Sequence, residues 1–302
     1  MTATGVWWNS HGAALGLADL RGHERCQALA PGGVYGWRVH GPRRCIGVWI
    51  PATATRTPCP TRSLVTGTGR SGQCRTCQDL DPGRMLARDG VVDDRSYGVY
   101  LAWFGPALIK IGITAAERGH NRLAEQGALL FTWLARGRLS AARRIEITAV
   151  AGGQVRDRFT RRVKHSGWPQ AGDTARAVDE LTRVHANLAP PSDASADPAA
   201  GPWPLPLQVH DLRPRYRLGS DTVLPTRELT GVIDGSLITG RLDALIGTDA
   251  VMTITGRPVL APLPVLTGWG LTRARGEDEA ADLTTQTRPD AARGDDEHPT
   301  LF

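Results

Sequence analysis

The sequence predicts an α+β fold, and three observations carry the prediction. Residues 97–114 hold two short apolar runs, 98–104 and 108–113, rich in Val, Ile, Tyr, Trp and Phe and parted by Gly105-Pro106-Ala107, which is the pattern of a β-hairpin. Helical patterns follow that hairpin as far as Leu188. Gly-punctuated apolar runs at both ends of the chain, over 1–44 and 207–270, predict flanking β-rich segments.

Taken in order, residues 1–44 read as strands of a small β unit. Residues 45–94 form a cysteine-bearing module and its linker. Cys74-Arg75-Thr76-Cys77 is a CxxC approached through Gly67, Gly69 and Gly72, and Cys45 and Cys59 precede it. Four thiolates within 33 residues (45–77) fit a closed structural Zn²⁺ site. The alternative is a lone CxxC with two unrelated buried cysteines. Cys26 reads as a small buried side chain.

The central domain spans 95–188. After the hairpin, a helix is expected up to Gln126 with Gly127 as its C-cap, then a third strand over 129–135. Ser140 is a good N-cap for a helix ending at Gly152-Gly153. A basic helix is expected over 155–165 and an amphipathic one over 173–188. Residues 189–206 are a Pro/Ala linker and 207–270 an accessory β domain. The two β-rich pieces are candidates to pair into one unit, since neither alone buries much surface. Residues 271–302, rich in Asp and Glu and without apolar period, are expected to form an acidic disordered tail.

Composition narrows the function. The formal charge is +6, and of the 36 basic side chains only Lys110 and Lys164 are lysines. Between Arg136 and Lys164, nine basic residues face two acids, a concentration expected of a chain that meets a polyanion, here DNA or RNA. Arg143, Arg144, Arg156, Arg158, Arg161, Arg162 and Lys164 are its candidate nucleic-acid contacts. No basic n-region with an apolar core opens the chain and no run approaches the length of a membrane span, so a soluble cytoplasmic protein without membrane contact is expected. Free or metal-bound thiols suit that compartment.

Gly98-Val99-Tyr100, then Lys110-Ile111-Gly112 after nine intervening residues, then Thr114 and an Arg-bearing helix, resemble the GIY-YIG nuclease superfamily. The chain is also similar to an uncharacterised prokaryotic family in which a Cys-rich zinc-like segment precedes YxVYLAxF, KxGIT and RLxEQGA, here at 97–104, 110–114 and 122–128. The resemblance implies a small α/β domain, a three-stranded antiparallel sheet with helices, preceded by a zinc-ribbon-like module. It implies that Tyr100 helps activate water and that Arg122, with Arg118 as rival, stabilises the developing charge. Glu146 would hold a catalytic Mg²⁺ or Mn²⁺, and Lys110 stands where the second tyrosine would be. Phosphodiester cleavage needs that set of groups. The residues themselves leave a plainer reading open for each: Tyr100 as a strand aromatic, Arg122 as a surface ion pair, Glu146 as a helix-surface charge. The expected function is therefore a metal-dependent endonuclease, with a non-catalytic zinc-containing nucleic-acid-binding protein as the alternative.

Overall fold

Strands β1 (Thr2–Asn9), β2 (Gly12–Ala18), β3 (Glu24–Leu29) and β4 (Val34–His40) open the chain in the computed structural model. It describes residues 1–51, 53–66, 71–82, 84, 93–189, 202–219, 222, 224–274 and 280–288. Gly67 and Gly69, parts of both expected linkers, and residues 289–302 of the expected tail lie outside the described residues.

The later β-rich segment supplies β12 (Arg227–Ile246), β13 (Asp249–Ile254), β14 (Arg257–Pro262), β15 (Gly270–Arg273) and β16 (Ala281–Thr287). These join the first four strands in one nine-stranded sheet, ordered β13-β14-β12-β4-β15-β1-β2-β3, with β16 also on β12. The long strand β12 pairs with β16 along its first half, with β4 near its middle and with β13 at its end. Its register shifts between Val232 and Leu237, where Gly235 takes a φ of 90° that an L side chain resists. Residues 281–287 are thus not part of a disordered tail. Thr284, Thr285 and Thr287 favour an extended backbone, and ladder hydrogen bonds to β12 replace the missing apolar period.

The central hairpin forms in the expected place, as β7 (Ser96–Trp103) and β8 (Ile109–Ala115), with Tyr100 opposite Gly112 and Ala102 opposite Lys110. It is followed by α2 (Gly119–Gln126), β9 (Leu130–Arg138), α3 (Leu139–Ala151), α4 (Arg161–Ser166) and α5 (Thr174–Leu188). Between the hairpin and the first sheet lie β5 (Val48–Ile50), β6 (Thr55–Thr57) and α1 (Arg75–Asp79). Two short strands, β10 (Trp203–Pro204) and β11 (His210–Asp211), add to β9 and make the central sheet five-stranded; α6 (Arg213–Tyr216) follows them.

The fold class implied by the resemblance is corrected by this architecture. The chain is dominated by strand and by large antiparallel sheets, and the central sheet is neither small nor three-stranded, so the GIY-YIG-like α/β domain does not describe it. The reason is long-range pairing. Segments read as linker or accessory domain extend β9, while the N- and C-terminal strands close on each other.

The basic helix expected over 155–165 is also shorter than its charge pattern suggested. Val155 is buried, and Arg156 lies beside Lys110 on the free edge of β8, with the Ile111 amide donating to the Arg156 carbonyl at 2.9 Å. Helix α4 starts only after Thr160, whose hydroxyl accepts from the Val163 amide at 3.3 Å. Similarly, α3 is capped by Arg138 rather than by Ser140, which lies inside it.

One continuous apolar core joins the two large sheets. Trp8 crosses between them: its indole donates to the Gly247 carbonyl at 2.7 Å and packs edge-on against Tyr216, 5.3 Å between centroids. Asp249, at the start of β13, ties α4 to the large sheet by accepting from Arg161 and pairing with His165, each at 2.8 Å. At the hairpin tip, Gly105 and Gly167 lie so close that a Cβ on either would strike the other's backbone. The Lys-bearing helix α4 is thereby held from both ends.

Candidate functional site

Two clusters concentrate the chemistry. In the first, Cys45, Cys59, Cys74 and Cys77 place their sulfurs within 4.8 Å of one another. Four thiolates around a tetrahedral Zn²⁺ sit about 3.8 Å apart, so the set fits with little adjustment. The Gly47 and Cys74 amides donate to Cys45 Sγ at 3.4 and 3.2 Å, the arrangement a bound thiolate needs, since it must accept hydrogen bonds rather than donate them. Gly47, with φ of 72°, closes this turn where any Cβ would collide with the Thr57 carbonyl. Burial pushes the Cys59 thiol up, but the Thr61 hydroxyl and the Ser63 and Thr61 amides outweigh it and bring it down to about 6. Burial and the neighbouring cysteines raise Cys77. Thiols forced together with nothing to share their charge push one another out of the ionised form, and a metal removes that conflict. This cluster could hold a structural metal such as zinc, and Val48, Ile50 and Val65 pack around it. Cys26 is exposed rather than buried and stands apart from it.

The second cluster is an open polar pocket of about 490 Å³ beside the hairpin. Tyr100 and Lys110 come from β7 and β8, Arg122 and Gln126 from one face of α2, and Arg143 and Glu146 from α3. Asp157 and Arg158 come from the segment along the edge of β8, and Lys164 from α4. Five cations and two carboxylates thus line one cavity. Glu146 is aimed here because it shares a helix face with Ala142 and Ala149, both buried against the sheet. Burial pushes its carboxyl up, Lys110 opposes that, and Asp157 adds to it.

Tyr100 is only 1% exposed, so its hydroxyl alone reaches the pocket. That hydroxyl accepts from Gln126 Nε2 at 2.8 Å and from Lys110 Nζ at 3.4 Å. Gly112, directly opposite, makes room for it, since a Cβ there would overlap the hydroxyl. Lys110 also donates to Gln126 Oε1 at 3.0 Å. Lys164 donates to the Gln126 carbonyl at 2.8 Å and lies 4.4 Å over the Phe104 ring. Burial, reinforced by the charges of Lys110 and Arg122 and opposed by Asp249, lowers the Lys164 amine to about 8.

The structure therefore brings Tyr100, Lys110, Arg122 and Glu146 together, with Arg143, Arg158 and Lys164 beside them. Arg118 lies outside the lining, bonded to Glu125 at 2.6 and 2.7 Å. Arg161 is committed to Asp249 and Glu228. Arg144, Arg156 and Arg162 are exposed outside the lining. Gln126 and Asp157 went unread in the sequence. Gln126 was legible in principle, because it follows Arg122 by one helical turn.

A catalytic Mg²⁺ or Mn²⁺ on Glu146 does not suit this donor set. Five cations surround two carboxylates, and among the described residues only the four cysteines form a cluster of three or more metal-ligating groups. A larger concavity of about 1040 Å³ on the nine-stranded sheet, floored by Tyr35 and Trp37, is lined by one cation, Arg273, and no carboxylate.

Among the described residues, no helix is long and apolar enough to cross a membrane. No curated protein and no solved structure matches the chain. Residues 70–212, which take in the CxxC, the hairpin and every residue of the cationic pocket, are similar to a family described as a protein of unknown function (DUF2797).

Proposed function

We propose that the chain binds a polynucleotide by gripping backbone phosphates in the pocket of Lys110, Arg122, Arg143, Arg158 and Lys164, on a scaffold braced by a structural zinc. The observation that carries this reading is the excess of five cations over two carboxylates in one open, polar cavity. Phosphate oxygens would replace the water around those side chains, and the Tyr100 hydroxyl and Gln126 amide would supply uncharged hydrogen bonds. Exposed Arg144, Arg156 and Arg162 would extend the cationic surface along the strand.

The test is fluorescence anisotropy with labelled oligonucleotides across a salt series. If three to five phosphates are neutralised, log K against log salt should fall with a slope of about −3 to −5 on duplex. Lys110→Gln should weaken binding to every sequence alike and reduce that slope by about one. Salt-independent binding, or none, refutes the reading. The same samples, incubated with Mg²⁺ or Mn²⁺, show whether any strand is cut; cutting abolished by Glu146→Ala would restore a metal to the pocket.

A further inference from the structure

The chain carries 34 arginines and two lysines, and both lysines line the same pocket. Among the described residues the ion pairs are made by arginines, Arg122 with Glu125 among them, and by His23 and His165. What lysine offers that arginine does not is an amine able to lose its proton near neutrality and attack a carbon centre. The partners of the two amines suit that use. Lys110 bonds to a phenol and an amide oxygen, and Lys164 to a backbone carbonyl. Among the described residues neither takes part in a direct ion pair, although Asp249 acts on Lys164, and Glu146 on Lys110, through their charges. Lys164 is the better nucleophile. It lies over the Phe104 ring and faces the charges of Lys110 and Arg122, with the Asp249 carboxylate acting against them. Its lowered proton affinity accords with that placement. Helix α4, fixed to Asp249 by Arg161 and His165, holds it against the cavity.

We propose that Lys164 condenses with the carbonyl carbon of a phosphate-bearing aldehyde held in this pocket, a reading that rests on the pocket binding phosphate. The amine lone pair adds to the carbonyl carbon, forming the C–N bond of a carbinolamine. Its hydroxyl then takes a proton and leaves as water as the nitrogen lone pair forms the C=N bond, giving a protonated imine on Lys164, which returns the proton on becoming neutral, with nothing oxidised or reduced. Glu146 and Tyr100, which line the same pocket, are the groups proposed to hand over that proton. The remaining cations seat the phosphate. An aldehyde joined to phosphate has two sources: a free sugar phosphate, or the ring-opened deoxyribose of an abasic site in a DNA strand.

The experiment is reductive trapping of the full chain with cyanoborohydride, read by intact mass and peptide mapping. One arm uses glyceraldehyde 3-phosphate and the other an oligonucleotide with a single abasic site. The chain has three amines in all, those of Lys110, Lys164 and Met1. The expected result is about ten-fold more reduced adduct on Lys164 than on either other amine, in at least one arm. It should be accompanied by a missed tryptic cleavage after Lys164, competition by inorganic phosphate, and little labelling by glyceraldehyde itself. Lys164→Arg should abolish the adduct, and mapping of the unaltered chain decides the matter if that variant does not fold. Labelling confined to one arm identifies the source. Labelling in neither, or spread evenly over the three amines, overturns the proposal. If intact DNA binds with the expected salt slope while trapping fails, only the imine falls. If glyceraldehyde 3-phosphate traps on Lys164 and no oligonucleotide binds, only the polynucleotide reading falls.

Discussion

Replacing Gly112 by alanine tests whether the hairpin is built around the Tyr100 hydroxyl. The two residues face each other across β7 and β8, and a Cβ at 112 would lie well inside van der Waals contact with the phenol oxygen and its ring carbon. The ring cannot swing away cheaply. It is 1% exposed, packs edge-on against Trp133 at 6.3 Å and is held by Gln126. Overpacking of this kind costs about 1–3 kcal/mol, and loss of the Gln126 hydrogen bond adds about 1 kcal/mol. Gly112→Ala should therefore lose about 2–4 kcal/mol in urea-induced unfolding. Tyr100→Phe removes the nearer of the two clashing atoms and leaves the ring carbon, so in the double variant the two costs should fall short of their sum by about 1 kcal/mol. A neutral Gly112→Ala, or strict additivity with Tyr100→Phe, would show that the phenol is not wedged over this glycine.

Purified protein should contain about one zinc per chain, Cys74→Ser should lower that content, and a strong chelator should lower Tm; a metal-free protein with unchanged Tm would remove the zinc from the account. Glu146 has a carboxyl whose folded-state proton affinity is raised above the unfolded one, mainly by burial. The folded state then binds the proton more tightly, so wild type loses stability as pH climbs through the unfolded value of about 4.3 toward the folded one, and stays penalised above both. Glu146→Gln should match wild type near pH 4 and exceed it in Tm at pH 7; the reverse ordering at pH 7 would mean that Lys110 holds an ionised Glu146.

The hairpin was legible because strand pattern and turn chemistry are local: the glycine and proline between two β-branched runs fix where the chain reverses. Arg122 and Glu146 were singled out only through the resemblance, and the pocket they line was not itself legible in the sequence. What escaped was non-local. Arg161 read as one more basic contact, but its partner Asp249 lies 88 residues further along the chain. Arg156 and Arg158 read as a helix face, yet the free edge of β8 captures the Arg156 backbone and α4 begins only at Arg161. The closure of the nine-stranded sheet rests on β4 meeting β12 about two hundred residues on, through strands whose composition marks them as β but not as each other's partners.

That closure bears on the pocket. Four of its walls come from residues 100–158, all within the central sheet and the elements packed on it. The fifth, Lys164, sits on a six-residue helix too short to hold its own position. What fixes α4 is the buried pair of His165 and Asp249, with the half-exposed Arg161 bridging Asp249 and Glu228, and both acids belong to the large sheet. Removing one member of such a set leaves buried charge uncompensated, a cost of about 3–5 kcal/mol, whereas the set as a whole adds little net stability. Its effect is on geometry: the nine-stranded sheet acts on the pocket through one helix, by deciding where a single amine stands relative to Lys110. A pocket that needed only positive charge would tolerate a loosely held lysine. One that presents an amine to a particular carbon would not, and that difference gives the distant sheet a part in the chemistry rather than in folding alone.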